Sequence, residues 1–293
     1  MGSKPGKLWL QPPAGSPFAE RRWLFKPTTI QRERDREFLK GDDWAEKLVA
    51  EVAHLLGVSA APVELATRRG SPGIISGDIS ARRELVFGNE VLFGHDPEYD
   101  RHGRRGVAGY TVDAVLSALR SLGVVLPADH DAPDASAAFA GYVTLDALVA
   151  NTDRHHENWG ILVDPTATEP PRLAPSFDHA SSLGFLLSDD ERAERLQTRD
   201  GNRTVEAFAE RGRSRHFAGT PTLVDVAVNA AAACGAAVAI GYRSRLEALS
   251  HNRLEALLDS IPDDRMSHPS RIFAVRLMDE NRRRLLDELN RYG

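Results

Sequence analysis

Residues 151–162 read Asn-Thr-Asp-Arg-His-His-Glu-Asn-Trp-Gly-Ile-Leu, a polar loop that runs into an apolar segment. Asp153 and Asn158 stand five residues apart in it, and about twenty residues later comes Ser176-Phe177-Asp178-His179. An aspartate, an asparagine and a second aspartate in this order meet the needs of phosphoryl transfer from ATP. Asp153 would accept or orient the proton of an attacking hydroxyl, and Asn158 and Asp178 would hold the Mg2+ that bridges the phosphates. A run rich in Asp, His and Asn also suits a solvated turn. Asp153, His155 and His156 could instead hold a metal, although adjacent histidines do not share a face.

Transfer also needs a cation on the phosphates. Lys26 ends the strand-like run Arg22-Trp23-Leu24-Phe25-Lys26 and would neutralise the α- and β-phosphates if a carboxylate held it in place. Alone, it reads sooner as a solvated strand-end lysine, and the Asp153 motif, coming in the expected order, turns the reading toward phosphate. Glu46 and Glu51 both border the apolar face of the next helix, on opposite sides, and periodicity does not choose between them. A backbone cradle for phosphate would come from residues 11–17, Gln-Pro-Pro-Ala-Gly-Ser-Pro. This loop has a single glycine, Gly15, and no Gly-x-Gly-x-x-Gly. The amides of Ala14, Gly15 and Ser16 could contact phosphate, while the prolines remove donors.

The elements that must position these residues follow from the patterning. Residues 7–10 and 22–26 predict a hairpin or two neighbouring strands. Residues 28–40 are highly charged and expected to be exposed. Asp43 and Glu46 have the spacing of a capping pair, and Ala45, Leu48, Val49, Val52, Leu55 and Leu56 fall on one helical face before a stop at Gly57. Residues 63–66, 73–76 and 84–87 read as further strands of a small lobe. Helices are expected over 111–122, 135–150 and about 270–290, the last with a stripe of Ile272, Phe273, Leu277, Leu285 and Leu289. Residues 127–133 read as a loop, 160–163 and 172–175 as short strands, and 224–242 as buried helix. The expected fold class is α+β: a strand-rich N-lobe over 1–95 that binds phosphate, and a mostly helical C-lobe over 96–293 that carries the catalytic loop, the metal ligands and a helical tail.

Composition is that of an ordinary globular chain of 293 residues, 42% hydrophobic and 27% charged. The net charge of -5 argues against a nucleic-acid binder working through a global positive field, and the basic run 211–215 reads as a solvated loop. One cysteine, Cys234, excludes an internal disulfide and suits a reducing cytoplasm; in its alanine-rich run it is expected to be small and buried. The N-terminal residues carry no secretory signal pattern, and no stretch predicts a membrane span.

The Asp153, Asn158, Asp178 order resembles the protein-kinase set, with Asp-Arg-His in place of His-Arg-Asp. Asn-Thr-Asp-Arg-His-x-x-Asn followed by Gly160-Ile161-Leu162-Val163 resembles the HipA-like kinases, relatives of the phosphatidylinositol kinases. The resemblance spans nearly the whole chain, and the catalytic loop is its specific part. It implies a two-lobed kinase fold, ATP and Mg2+, and transfer to serine or threonine of a protein. It selects Glu46 as the partner of Lys26, because in that family a glutamate six residues before a Leu-Ala-like pair, here Val52-Ala53, has this role. It makes Ser16, in the loop over ATP, a candidate for autophosphorylation, although the residue reads first as a plain turn serine, and it leaves an antitoxin-like partner open, since well-known members are toxins silenced by one. The chain lacks the extra N-terminal subdomain of longer HipA proteins and so resembles the short, stand-alone members. Phe177-Asp178-His179 stands where protein kinases read Asp-Phe-Gly; without that glycine a flipping activation segment is not expected. Arg154 and His155 are expected to brace the catalytic loop. The same residues would serve a small-molecule or lipid hydroxyl. A nucleotide-binding module without turnover is a further alternative, disfavoured because all four charged positions are present.

Overall fold

The structure is a computed structural model that describes residues 6–33, 36–80, 82–127 and 130–292. The extreme N-terminus and part of the expected 127–133 loop lie outside the described residues. The N-terminal part is rich in strands: β1 (Leu8–Leu10), β2 (Trp23–Pro27), β3 (Ile30–Glu33), β4 (Arg36–Leu39), helix α1 (Asp42–Leu55), β5 (Val63–Arg68) and β6 (Ser71–Gly77). Four strands form an antiparallel sheet in the order β1-β2-β6-β5, which sets Lys26 opposite Ile74. The charged stretch after β2 is not irregular: β3 and β4 pair as a separate hairpin. Its exposed Ile30 and Leu39 explain why no alternation marked it.

Helix α1 packs through the expected face, with Ala45, Leu48, Val49 and Val52 fully buried. Its start differs from expectation. Gly41 is the N-cap and no side chain caps the helix. Asp43 is buried instead and takes Arg265, with Nη2 2.6 Å from Oδ2. Arg265 also donates to the Gly73 carbonyl at 2.7 Å, so one guanidinium ties α1, β6 and the C-terminal helices together. A buried carboxylate is stable here because its charge is paired.

Strand β7 (Glu84–Phe87), expected with the small lobe, joins a second sheet: it pairs with β8 (Gly160–Val163), which pairs with β9 (Arg172–Leu173). Between β7 and β8 come α2 (Gly88–His95), α3 (Val112–Ser121) and α4 (Ala135–Val149). Every residue of α4 is buried, which an all-round apolar sequence requires. It ends at Ala150 with φ 55°, a left-handed stop that turns the chain into the Asp153 loop. Gly88 opens α2 against that loop, where a Cβ would overlap the Trp159 indole.

The rest is helical: α5 (Asp189–Gln197), α6 (Val205–Glu210), α7 (Leu223–Ala233), α8 (Ala236–Ala248), α9 (His251–Leu258) and α10 (His268–Leu289). The apolar stretch 224–242 is thus two helices, broken at Gly235, whose φ of 102° only glycine adopts freely. Cys234 beside it is half-buried and free. In α10 the expected stripe is buried except for Ile272, which is exposed. Among the described residues no helix is long and apolar enough to cross a membrane.

Candidate active site

Residues 151–158 have no regular secondary structure, so every group in them must find a partner in the loop or beneath it. Asn151 is nearly fully buried; its Oδ1 accepts the Asp153 amide at 3.1 Å and its Nδ2 donates to Asp146 Oδ1 at 2.7 Å. Arg154 runs underneath. It donates to both Asp146 oxygens at 2.7 and 2.8 Å, to the Asn158 carbonyl at 2.6 Å and to Ser176 Oγ at 2.9 Å. Ser176 in turn contacts His179 Nε2 at 2.7 Å. One buried guanidinium therefore fixes both halves of the site, the Asp153 loop and the Asp178 segment. His156 is buried against Tyr99, with Nδ1 2.7 Å from the phenol oxygen. His155 stays partly exposed and accepts the Glu157 amide. The histidine pair does not converge with Asp153, and among the described residues no three His, Cys, Asp or Glu side chains could hold a metal together.

This scaffold leaves Asp153 facing outward. Its Oδ1 lies 2.8 Å from His216 Nε2, and Ser181 Oγ lies 3.4 Å from its Oδ2. Burial pushes the carboxyl up, but the His216 hydrogen bond and the charges of His155 and His216 outweigh it and hold the group below the ordinary carboxylate range. Asp153 is therefore ionised at neutral pH. It is suited to orienting a hydroxyl and taking its proton late, rather than to deprotonating it beforehand. His216 was not legible in the sequence. It stands 63 residues from Asp153, at the end of the basic run read as solvated loop. Its Nδ1 faces the Arg104 carbonyl oxygen at 2.5 Å, which fixes the ring.

Lys26 reaches the site from β2. Its Nζ lies 2.9 Å from Glu46 Oε1 and 3.1 Å from Asp178 Oδ1. Burial alone would lower the ammonium's pKa; the Asp178 and Glu46 carboxylates reverse this and raise it above the ordinary lysine range. Glu51 is turned away and pairs with Lys47 at 2.7 Å. Asp178 has φ 60°, a left-handed backbone unusual for a residue with a Cβ. The segment before it is pinned by paired strand-like hydrogen bonds between Ser176 and the chain after α1, from Ala61 N to Ser176 O at 2.8 Å and from Ser176 N to Ser59 O at 2.9 Å. A cavity opens over these groups, lined by Lys7, Lys26, Thr28, Glu46, Asp178 and Ala180 among others.

Asn158 joins Asp153 through its side chain, Nδ2 donating to the Asp153 carbonyl at 2.8 Å, which leaves the amide oxygen as its remaining acceptor. Gly15 and Ser16 lie in the β1–β2 connection and are not among the residues lining the cavity. Ser16 makes a turn there: its amide donates to the Pro13 carbonyl and its Oγ accepts the Phe18 amide, both at 3.2 Å.

No protein-family model matches the sequence, and no curated protein matches it. Among solved structures, the proinflammatory kinase CtkA of Helicobacter pylori superposes with a TM-score of 0.70 at 17% identity, over 93% of this chain and 88% of that one. HipA from the toxin–antitoxin complex of HipA, HipB and operator DNA of Shewanella oneidensis MR-1 gives a TM-score of 0.45 at 13% identity, over 93% of this chain and 58% of the matched chain. These solved neighbours are CtkA and HipA, and the chain has the fold of the first, strand-rich toward its N-terminus and helical toward its C-terminus.

Proposed function

We propose that this chain is an ATP- and Mg2+-dependent serine/threonine protein kinase of HipA-like type, with residues 1–95 and 96–293 acting as two lobes. The observation that carries the reading is Lys26 bridging Glu46 and Asp178 in one cavity. A buried lysine held by a helix carboxylate beside a half-exposed aspartate is what binding and neutralising a triphosphate requires.

The roles follow from position. Lys26, oriented by Glu46, meets the phosphates. Asp153 holds the acceptor hydroxyl and receives its proton as the new P–O bond forms. Asn158 and Asp178 suit Mg2+: both offer oxygen, and a cation that keeps most of its own water and takes phosphate oxygens needs few protein ligands. When bound, the ion neutralises charge on the phosphates. Gly15 and Ser16 reach phosphate only if the β1–β2 connection folds down over the nucleotide.

The roles given to Lys26, Asn158 and Asp178 do not choose the acceptor, so the experiment must. Labelled ATP is incubated with the chain and a lysate of its own host, beside an Asp153→Ala control. Asp153-dependent label on serine or threonine of a protein supports the proposal. Label confined to small molecules or lipids moves the activity to those acceptors. Unconsumed ATP and no label anywhere would sink the kinase reading. Such an enzyme works in the cytoplasm, and an antitoxin-like protein is a partner to look for by co-purification.

A further inference from the structure

Ser181 is placed where an acceptor hydroxyl belongs. Of the two Asp153 oxygens, Oδ1 lies 2.8 Å from His216 Nε2 and Oδ2 lies 3.4 Å from Ser181 Oγ, so the serine hydroxyl meets the oxygen that His216 does not take. That distance is long for a hydrogen bond, as catalytic contacts often are before substrate arrives. The serine also stands at the right place along the chain. It follows Asp178 by three residues and comes directly after Ala180, which lines the same cavity as Lys26. Its segment is anchored on both sides, by Ser176 to Ser59 and Ala61, and by the Leu183 amide to the Val149 carbonyl at 2.8 Å. The adjacent Ser182 is fully buried and its hydroxyl has no partner among the described residues, so it does not share this position.

We propose that Ser181 is a self-phosphorylation site, modified in cis by the nucleoside triphosphate bound in the Lys26–Asp178 cavity. The proposal rests on the kinase reading above and adds an acceptor to it. Ser181 Oγ forms a bond to the γ-phosphorus. The bond from that phosphorus to the β–γ bridging oxygen breaks, and the nucleoside diphosphate leaves with the electron pair. The serine proton passes to Asp153 Oδ2 and on to solvent. An acceptor held within the same chain reacts at high effective concentration, so a hydroxyl already beside the base competes well with any external one.

The experiment is site-localised mass spectrometry. The chain as expressed, with no nucleotide added, is expected to carry phosphate on Ser181, and an Asp153→Asn chain is not. After phosphatase treatment and incubation with ATP and Mg2+, one phosphate returns to Ser181 at a fractional rate independent of protein concentration. Ser181→Ala loses it while Ser182→Ala keeps it, and a thermal melt of Ser181→Ala without nucleotide checks that this variant is folded. Phosphate only at other positions, Ser16 included, overturns the inference, as does a rate that rises with protein concentration. If γ-phosphate passes to another acceptor while Ser181 stays bare, this inference fails and the kinase reading stands. If no acceptor receives phosphate, both fail.

Discussion

Asp146 and Arg154 meet fork to fork beneath the Asp153 loop, Oδ2 to Nε at 2.7 Å and Oδ1 to Nη2 at 2.8 Å, with both side chains 2% exposed. Removing either partner leaves a buried charge without compensation. Asp146→Ala or Arg154→Ala is therefore expected to cost about 3–5 kcal/mol. Asp146→Leu with Arg154→Met removes both charges and should cost less than the two single changes added together. Urea unfolding of the four proteins checks this. A single variant within about 1 kcal/mol of wild type would mean the pair does not hold the loop.

The His216 contact predicts a loss in turnover rather than in nucleotide binding. His216→Ala frees Asp153 Oδ1, and misplacement of a reacting group by about 1 Å can cost roughly a hundredfold in rate. The expected result is kcat down by about ten- to a hundred-fold with the KM for ATP near wild type. His216→Asn, whose amide can still donate to the carboxylate, should recover part of the loss. An equal loss in both variants would assign His216 to packing alone.

Much of this site was legible because its parts come in a chemical order. Asp153, Asn158 and Asp178 are close in sequence, and Lys26 directly follows the apolar run Trp23-Leu24-Phe25. The choice of Glu46 over Glu51 was not legible from periodicity, since the two flank the same face. It depends on β5, whose Glu64 joins Glu51 in drawing Lys47 away. His216 could not be read, because its meeting with Asp153 is made by how the chain between α6 and α7 returns to the loop. Asp146 was visible only as a lone acid in an apolar helix, and its use appears once Arg154 and Asn151 are seen to point at it. In the fold, α1, α3, α4 and α10 follow their apolar patterns. The β3–β4 hairpin and the break at Gly235 escaped notice, one for lack of a buried face and the other because alanine continues on both sides.

Lys26 and Glu46 should behave as one unit. Lys26→Ala is expected to weaken ATP binding and turnover, Glu46→Ala to do so less, and the double variant to be little worse than Lys26→Ala, because Glu46 acts through Lys26. Glu51→Ala, which loses only a partly exposed pair with Lys47, should change activity less than twofold, in keeping with the small worth of such pairs. Nucleotide titrations of the four variants decide it. Additive losses, or a Glu51 effect as large as that of Glu46, would break the assignment.

Stability should fall in mild acid. Burial pushes the His130 imidazole down from 6.5 to about 4, and the Arg245 charge adds to the shift. Between those values the unfolded chain binds a proton at this position and the folded chain does not, so lowering the pH favours unfolding. His155, His156 and His179 are lowered in the same direction by burial. The melting temperature is expected to drop from pH 7 to pH 4, and His130→Leu should flatten that slope without abolishing it. An unchanged slope would show that His130 titrates normally in the folded protein.

Asp178 combines two features that one substitution can separate. Its carboxylate is half-exposed in the cavity and paired with Lys26, and its backbone is left-handed. Asparagine adopts that conformation readily and glycine without strain, whereas alanine there costs about 1–2 kcal/mol. Asp178→Asn and Asp178→Gly should therefore fold as well as wild type and lose only the charge, while Asp178→Ala should also melt lower. All three should bind ATP with a weaker dependence on Mg2+, because an anionic oxygen is gone from the place where the cation would sit. The measurement is ATP affinity across an Mg2+ titration, with a thermal melt beside it. If the Mg2+ dependence of Asp178→Asn matches wild type, Asp178 does not hold the metal, and its role reduces to anchoring Lys26.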